Sequence, residues 1–308
     1  MKYPSFLKEN DLIGITALSS GCSDNVSEMK EAINNLTNKG FNVITTNNVY
    51  GNYIVSSSKE NRINELNELL KKDIKLLQIA RGGSLLYELL DSIPYEEIVN
   101  KKVLVQGYSD PTSLLYILTT KYDFATIYGL NGKSYSGNKL ELYQLNNLEI
   151  LKGDLINQVS YDNESISING DFESEGIIIG GCVEVLKDVI GTMYDETIKF
   201  IEKYKNHKII WYFDIYNLDP VTLYVTLLQF KNAGWFKYSD TFLIGKVLFK
   251  QSEDIMTYRS VYEKVFNGNV LYDTNIGHVK PMFTIINGSK VKVTYKNNKL
   301  SLSQSLLK

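Results

Sequence analysis

A serine stands in segment 107–112, between an apolar run that predicts a buried strand and a run with helical spacing. At such a strand–turn–helix junction the Ser109 hydroxyl can act as a nucleophile near the positive end of a helix, and the backbone N–H of Asp110 can face a developing oxyanion. Asp110 and Pro111 also suit the N-cap and the first position of the helix, and Pro111 replaces the second glycine of the G-x-S-x-G pattern. The segment therefore predicts either a nucleophile at Ser109 or a capping turn that happens to contain a serine.

Arg81, Gly82, Gly83 and Ser84 form a second junction between a predicted strand and a predicted helix. Two adjacent glycines let backbone amides approach a ligand closely, because neither residue has a side chain. The amides of Gly82 and Gly83 are therefore candidate donors to the same oxyanion, or to a phosphate at the start of the helix. The full glycine fingerprints of nucleotide-binding loops are missing, which counts against a nucleotide site. A plain sharp turn is the alternative.

The chain has two histidines, which limits the candidates for a general base. His207 lies in a charged stretch and is expected on the solvated surface. His278 follows Gly277, which gives the backbone freedom to present the imidazole, or else His278 is a loop residue held by a backbone carbonyl. Asp214 comes directly after an apolar run and is either the acidic partner of His278 or a strand-end turn residue. Asp219 precedes a proline and is interpreted as a helix cap.

The first half of the chain alternates apolar runs with segments of helical spacing. The predicted strands are 12–17, 41–45, 74–80 and 103–106, and the predicted helices are 24–38, 60–70, 85–90, 95–99 and 111–120. Strands that alternate with helices favour a parallel sheet covered on both faces, in which ligands bind beyond the carboxyl ends of the strands. The loops after Ala17, Ala80 and Gln106 are therefore the expected location of a site.

The second half begins after segment 132–171, which is polar, lacks a clear period and is interpreted as a connection with irregular strands. The predicted strands beyond it are 177–181, 209–213 and 242–246, the predicted helices are 183–192, 221–230 and 256–266, and a final period-two region has a hairpin turn at Asn297 and Asn298. The predicted fold class is α/β. An N-terminal parallel-sheet domain with the nucleophile turn (1–135) is followed by a linker region (136–170) and a C-terminal α/β domain with a β-rich end (171–308), which supplies the acid and the histidine.

Composition narrows the class of protein. The chain has 308 residues, 44% of them hydrophobic and 12% aromatic, which suits one large or two ordinary domains and excludes a disordered chain. Two cysteines, Cys22 and Cys182, exclude a disulfide-stapled miniprotein, and with only two histidines they argue against a zinc site. The formal net charge of −2 lacks the basic surplus that is typical of nucleic-acid binding.

Sequence features also bear on location and partners. No apolar run approaches the roughly 20 residues of a membrane span, so we expect no membrane partner. Residues 1–4 show no apolar segment and no small-residue cleavage site, so we expect no export by a signal peptide. Together with the few cysteines, this predicts a reducing cytoplasm. We expect a small-molecule or peptide substrate rather than a nucleic acid.

The order and residues of these segments resemble the LD-carboxypeptidase family of serine peptidases, and the resemblance covers most of the chain. The most specific match is segment 107–112, whose Gly-Tyr-Ser-Asp-x-Thr pattern resembles the nucleophile motif of the family. The other matching segments are 2–20, Ala80-Arg81-Gly82-Gly83, Gly180-Gly181, 189–192, 229–234 and Ile276-Gly277-His278.

The resemblance implies a Ser-Glu-His triad. Ser109 falls on the nucleophile and His278 on the base, while Asp214 stands where the family usually has glutamate. Aspartate is one methylene shorter, but it serves as the triad acid in other serine hydrolases. Two further departures are Cys182 at the usual asparagine position and Tyr128 where many members have histidine.

The implied chemistry is amide hydrolysis. His278 accepts the proton of Ser109, which attacks the scissile carbonyl, while the amides of Asp110, Gly83 and Gly82 bind the oxyanion. An acyl-enzyme forms, and water then cleaves it. The scheme needs no metal and no organic cofactor.

The resemblance also implies a biological setting. It points to a cytoplasmic, homodimeric hydrolase that cleaves an L,D-amide bond and releases the terminal D-alanine of murein tetrapeptides in peptidoglycan recycling. The alternative within the family is an immunity peptidase that cleaves the amide bond of a microcin-C-like aminoacyl-nucleotide. A non-catalytic homologue that binds peptides and a nucleotide-binding α/β domain are the remaining alternatives, and the missing glycine fingerprint counts against the last.

Overall fold

The protein is described by a computed structural model that covers residues 1–250 and 255–307. The chain divides into two compact units, Met1–Asp154 and Leu155–Lys308. Among the described residues, no helix combines the length and the apolar character that a membrane crossing requires.

The first unit is a parallel sheet with helices between its strands. Its strands are β1 (Leu12–Thr16), β2 (Asn42–Thr45), β3 (Ile74–Ile79), β4 (Leu104–Gly107) and β5 (Thr126–Tyr128), and its helices are α1 (Val26–Asn38), α2 (Lys59–Leu70), α3 (Tyr95–Asn100), α4 (Thr112–Thr120) and α5 (Leu142–Leu151). The strand order is β5-β4-β3-β1-β2, and each neighbouring pair is parallel. The central strands β1, β3 and β4 are almost wholly buried, as expected when helices cover both faces of a sheet. The predicted α/β class is confirmed.

Two local predictions in this unit are wrong. Residues 85–90, predicted to be a helix, form only the short 3-10 turn Tyr87–Leu89. Residues 142–151, predicted to be irregular, form α5. Its buried positions include the polar Gln144 and Asn147, so the helix lacks the apolar period by which helices are found.

The second unit contains a mixed eight-stranded sheet. The strands of this unit are β6 (Gln158–Val159), β7 (Ile166–Ser167), β8 (Phe172–Cys182), β9 (Lys208–Asp214), β10 (Ser239–Gly245), β11 (Asn269–Thr274), β12 (Ile285–Asn287), β13 (Lys290–Lys296) and β14 (Lys299–Ser305), and its helices are α6 (Val183–Val189), α7 (Thr197–Lys203), α8 (Pro220–Asn232) and α9 (Tyr258–Val265). The sheet order is β6-β14-β13-β8-β9-β10-β11-β7, with β8 to β11 mutually parallel. The hairpin between β13 and β14 turns at Asn297 and Asn298, both at positive φ, which confirms the predicted turn.

An aromatic cluster packs on one face of β9. Trp211 and Phe213 lie on one face of this strand with their rings stacked 5.6 Å apart, and Trp235 and Phe230 pack on them at 5.6 Å and 6.2 Å. Alternate residues of a strand point to opposite faces. The residue that ends β9, Asp214, therefore points away from the aromatic cluster, toward the loops at the carboxyl end of the sheet.

Candidate active site

Ser109 lies in a strained turn between β4 and α4. Its φ is 72°, a left-handed value that residues other than glycine seldom adopt and that marks nucleophile turns in hydrolases. The Ser109 carbonyl accepts the Thr112 N–H at 2.9 Å, and the Ser109 N–H donates to the Tyr128 hydroxyl at 3.3 Å. The side chain is half-buried. The turn thus holds Ser109 in a backbone conformation that serine disfavours. Strained backbone of this kind is common at functional sites.

The glycine pair after β3 lies against this turn. A Cβ atom on Gly82 would stand 3.0 Å from Ser109 Cβ and 3.1 Å from Ser109 Oγ. Gly83 has a φ of 150°, and a Cβ there would stand 2.3 Å from the Oγ of Ser19 in the loop after β1. A side chain at position 82 would therefore crowd Ser109, and one at position 83 would clash with the loop after β1.

Asp110 joins the loops that follow three strands. Its buried carboxylate accepts the Leu86 N–H at 2.9 Å and the hydroxyl of Ser19. The predicted roles of Asp110 as N-cap and Pro111 as first helical residue are wrong: Pro111 is itself the N-cap of α4, with no side-chain hydrogen bond. The reason is that the Asp110 carboxylate is engaged by the loops after β1 and β3 and is not available to the helix.

Sequence reasoning missed Arg62, which joins two of the same loops. Its guanidinium is fully buried and donates to the carbonyls of Leu18 at 2.8 Å and Leu85 at 3.1 Å, and it pairs with Glu88. Burial lowers the pKa of Arg62, while the nearby Asp110 carboxylate raises it. A signal was present in the sequence, because Arg62 lies four residues before Leu66 and therefore on the buried face of α2.

We expect Asp110→Ala to lower the free energy of unfolding by about 2–3 kcal/mol, because the Leu86 N–H and the Ser19 hydroxyl would lose a charged acceptor while staying buried. The control is Asp91→Ala. Asp91 is 61% exposed and its contacts with Lys59 and Ser92 lie on the surface, so its loss should leave the stability close to that of the wild type. Urea unfolding measures both variants. Equal effects of the two substitutions would contradict the bridging role of Asp110.

In the second unit, Asp214 and His278 form a hydrogen-bonded pair. Asp214 Oδ1 lies 3.0 Å from His278 Nδ1, and Oδ2 lies 2.9 Å from the same nitrogen. The His278 backbone N–H also donates to Asp214 Oδ1 at 3.2 Å. The Asp214 side chain is fully buried and the His278 side chain is 12% exposed. These contacts fix both the plane of the imidazole and the nitrogen that faces the carboxylate.

Gly277 explains how the shorter acid reaches the imidazole. Its φ is 84°, and a Cβ atom there would stand only 2.0 Å from Asp214 Cγ. The backbone before His278 therefore lies directly on the carboxylate. This close approach compensates for the methylene by which aspartate is shorter than glutamate.

We expect Gly277→Ala to lower the free energy of unfolding by about 2–4 kcal/mol, because the added methyl group meets Asp214 and the left-handed backbone is strained. Gly170→Ala is the matched control. Gly170 has nearly the same φ, 82°, but open space around its Cβ position, so only the backbone strain of about 1 kcal/mol should appear. Urea unfolding of the two variants separates the steric effect from the backbone effect. Equal losses would show that the approach to Asp214 is not tight.

The surroundings of His278 set its proton affinity. Burial acts to lower the pKa of His278, but the charge and hydrogen bond of Asp214, joined by the charge of Glu184, outweigh burial, and the pKa is raised above that of an ordinary histidine. The ring of Tyr216 packs against the imidazole, with centroids 4.7 Å apart. Neutral His278 therefore predominates only at a pH above this raised pKa.

The remaining predicted residues are structural. His207 is exposed on the surface, and Asp219 caps α8 by accepting the Thr222 N–H at 2.9 Å, so both predictions are confirmed. Cys182 is buried beside Asp214 in the pairing of β8 with β9, and burial raises the pKa of its thiol well above the ordinary value. Among residues 1–250 and 255–307, no three His, Cys, Asp or Glu side chains group closely enough to hold a metal ion.

Family models match both halves of the chain. The LD-carboxypeptidase N-terminal domain matches residues 13–129, and the LD-carboxypeptidase C-terminal domain matches residues 175–293. Together these matches cover more than half of the sequence. Among curated proteins, none matches the chain.

Solved structures share the fold along the whole chain. The microcin C7 self immunity protein MccF, in its wild-type apo state, is 20% identical, covers 99% of both chains and has a TM-score of 0.84. A muramoyltetrapeptide carboxypeptidase from Oxalobacter formigenes is 19% identical, with 96% of this chain and 98% of that chain covered and a TM-score of 0.80. An MccF-like protein from Bacillus anthracis is 23% identical over 100% of both chains, with a TM-score of 0.79. At these identities the likeness establishes the fold alone.

Proposed function

The chain belongs to the LD-carboxypeptidase family, and on this premise we propose that it is a serine carboxypeptidase that hydrolyses an L,D-amide bond and releases the terminal D-alanine of murein tetrapeptides. The observation that carries the proposal is the buried Asp214 carboxylate 3.0 Å from His278 Nδ1. An imidazole held in this way, with a raised pKa, is equipped as a general base. The strained Ser109 turn supports the assignment of the nucleophile.

The proposed reaction begins with a proton transfer. With Nδ1–H donated to Asp214, the lone pair of His278 Nε2 is available to take the proton of Ser109 Oγ. The Ser109 oxygen attacks the carbonyl carbon, and Asp214 stabilises the imidazolium that forms. His278 then gives the proton to the departing amine of D-alanine, which leaves an ester between the peptide and Ser109. Water, deprotonated by His278, cleaves this ester and regenerates the serine.

The tetrahedral intermediates carry a negative oxygen, which needs hydrogen-bond donors. We assign these donors to the backbone amides of Asp110, Gly83 and Gly82. The proximity of Gly82 to Ser109 Oγ and the tie of Asp110 to the neighbouring loops support this assignment. Removing one donor of this kind typically raises the barrier by about 3–4 kcal/mol.

Release of D-alanine from the tetrapeptide L-Ala-γ-D-Glu-L-Lys-D-Ala tests the substrate. A matched peptide ending in L-alanine controls for stereochemistry, and an aspartyl sulfamoyl adenosine, which MccF binds in one solved structure, represents the aminoacyl-nucleotide alternative. Release from the D-alanine peptide alone supports the proposal. Cleavage of the nucleotide conjugate alone would indicate an immunity peptidase that acts on aminoacyl-nucleotides. Turnover of no compound, by protein that binds the peptide, would indicate a non-catalytic homologue.

The setting is part of the same proposal. We place the enzyme in the cytoplasm, where murein fragments taken up by the cell are recycled, and expect a homodimer of the 35.1-kDa chain. Both statements rest on the family. The sedimentation equilibrium of the purified chain measures the second directly.

A further inference from the structure

Glu184, near the start of α6, joins three parts of the second unit. One carboxylate oxygen, Oε1, accepts the backbone N–H groups of Tyr216 and Asn217, each at 2.9 Å. The other, Oε2, accepts the thiol of Cys182 at 3.2 Å. Since Tyr216 and Asn217 follow directly after β9, the carboxylate anchors the loop that leaves Asp214. A single side chain thus connects the end of β8, the start of α6 and the end of β9.

The anchored loop carries the aromatic ring that covers the imidazole. The Tyr216 ring lies 4.7 Å from the His278 ring, at an interplanar angle of 50°. Tyr216 also contacts Phe249, whose ring centroid lies 5.2 Å away in an edge contact. Moving the Tyr216 backbone would therefore move one wall of the space in which His278 sits. The imidazole is also held by its hydrogen bond to Asp214.

Glu184 also acts on His278 through its charge. Two charged groups of the second unit act on the imidazole: Asp214, at the end of β9, and Glu184, on α6. The Tyr216 phenol also lies on a ring that contacts the imidazole, and the Cys182 thiol, beside Asp214, stays protonated because burial raises its pKa. Both carboxylates favour the imidazolium, and Asp214 has the larger influence.

We propose that Glu184 is a positioning residue for His278, which fixes the imidazole through Tyr216 and supplies a second negative charge beside it. The catalytic meaning of this role rests on the proposed function, but the geometric and electrostatic role does not. Cys182, which departs from the asparagine of the family, donates its thiol to the other oxygen of Glu184, Oε2. The cysteine at position 182 therefore has a hydrogen-bond acceptor two residues later, in Glu184.

Titration of the histidine ring protons by NMR tests the inference without a substrate. The chain has two histidines, so His207→Gln assigns the His278 signals unambiguously. Glu184→Gln keeps an oxygen that can accept the Tyr216 and Asn217 amides but removes the charge. We expect it to move the midpoint of the His278 titration to lower pH by roughly half to one unit. Asp188→Asn, an exposed acid on the same helix, is the control and should leave the midpoint in place.

The result that overturns the inference is a His278 midpoint that is the same in Glu184→Gln, Asp188→Asn and the wild type. If glutamine at position 184 prevents folding, Glu184→Asp replaces it. Aspartate keeps the charge but withdraws it by one methylene from the two amides. We then expect a midpoint near that of the wild type with kcat reduced by roughly tenfold. Wild-type kcat in Glu184→Asp would overturn the positioning role.

The pH profile of kcat/KM links the two proposals and keeps them distinguishable. In Glu184→Gln the acidic limb should move to lower pH by the same amount as the NMR midpoint. A purely structural role would lower the rate at every pH without moving the limb, and this outcome would overturn the electrostatic part. The wild-type protein could be inactive while the His278 midpoint still falls in Glu184→Gln. That result would contradict the proposed function and support the inference about Glu184.

Discussion

Ser109→Ala is expected to reduce the turnover of the tetrapeptide by about 10⁴-fold or more, because the alanine methyl group cannot form the acyl-enzyme. We expect the fold to be kept. Serine and alanine both adopt the strained φ of 72° at the same cost, so the free energy of unfolding should change by less than about 1 kcal/mol. D-Alanine release and urea unfolding measure the two effects on the same preparation.

Ser92→Ala is the control for this substitution. Ser92 lies exposed in the first unit, and its hydroxyl bonds only to the neighbouring Asp91, so turnover should stay at the wild-type value. Wild-type turnover in Ser109→Ala itself would end the assignment of the nucleophile. A large loss of stability in Ser109→Ala would show that the strained turn depends on the hydroxyl.

Asp214→Asn is expected to lower kcat by about 10⁴-fold. The same change to the triad aspartate of a serine protease costs about this much, because the imidazole then adopts the wrong tautomer. An asparagine amide can donate to His278 Nδ1, which places the ring proton on the nitrogen that should be the base. The pKa of His278 also falls, because Asp214 is the main group that raises it. The residual activity should therefore have its acidic limb at lower pH than the wild type.

Asp219→Asn is the matched control for that variant. Asp219 lies five residues beyond Asp214, and asparagine caps a helix as well as aspartate does, so neither α8 nor turnover should change. An Asp214→Asn protein with wild-type activity would mean that another carboxylate orients His278, or that no triad operates.

Asp214→Glu, which restores the residue usual in the family, should reduce activity as well. The position of Gly277 shows why: its backbone already lies so close to Asp214 Cγ that a Cβ atom would approach to 2.0 Å. An extra methylene must push this backbone or the imidazole away, at a typical cost of about 1–3 kcal/mol. Activity equal to or above that of the wild type would indicate that the loop before His278 relaxes freely.

Sequence alone could predict the parts of the fold that are encoded locally. The buried runs of β1, β3, β4 and β9 each appear as short, predominantly apolar segments, and the ends of such strands are where parallel sheets present functional residues. For this reason the local sequence marks Ser109 and Asp214 as candidate site residues, whereas it marks His278 because the chain has only two histidines and this one follows Gly277. It does not mark the helix α5, because the buried face of α5 includes polar side chains.

Apart from the Asp214–His278 pair, the contacts between distant residues that shape the site were beyond prediction. Asp110 has the local pattern of a helix cap because Pro111 and Thr112 follow it, whereas its carboxylate bonds to Ser19, 91 residues away. Glu184 stands in no recognisable motif, yet it accepts two amides 32 and 33 residues further along the chain. Nothing in the local spacing of either acid encodes the partner, since the approach of the loops is set by the whole sheet.

Covalent labelling is the most direct test of the central claim that Ser109 is a nucleophile activated by His278. A fluorophosphonate reacts far faster with a serine whose proton is removed by a nearby base than with an ordinary serine. Intact-mass and peptide mass spectrometry of the wild-type protein should find one adduct, on Ser109, that forms faster as the pH rises through the pKa of His278. His278→Ala should be labelled at least about 100-fold more slowly. Absence of an adduct on Ser109 in folded protein, or equal labelling of another serine, would contradict the account.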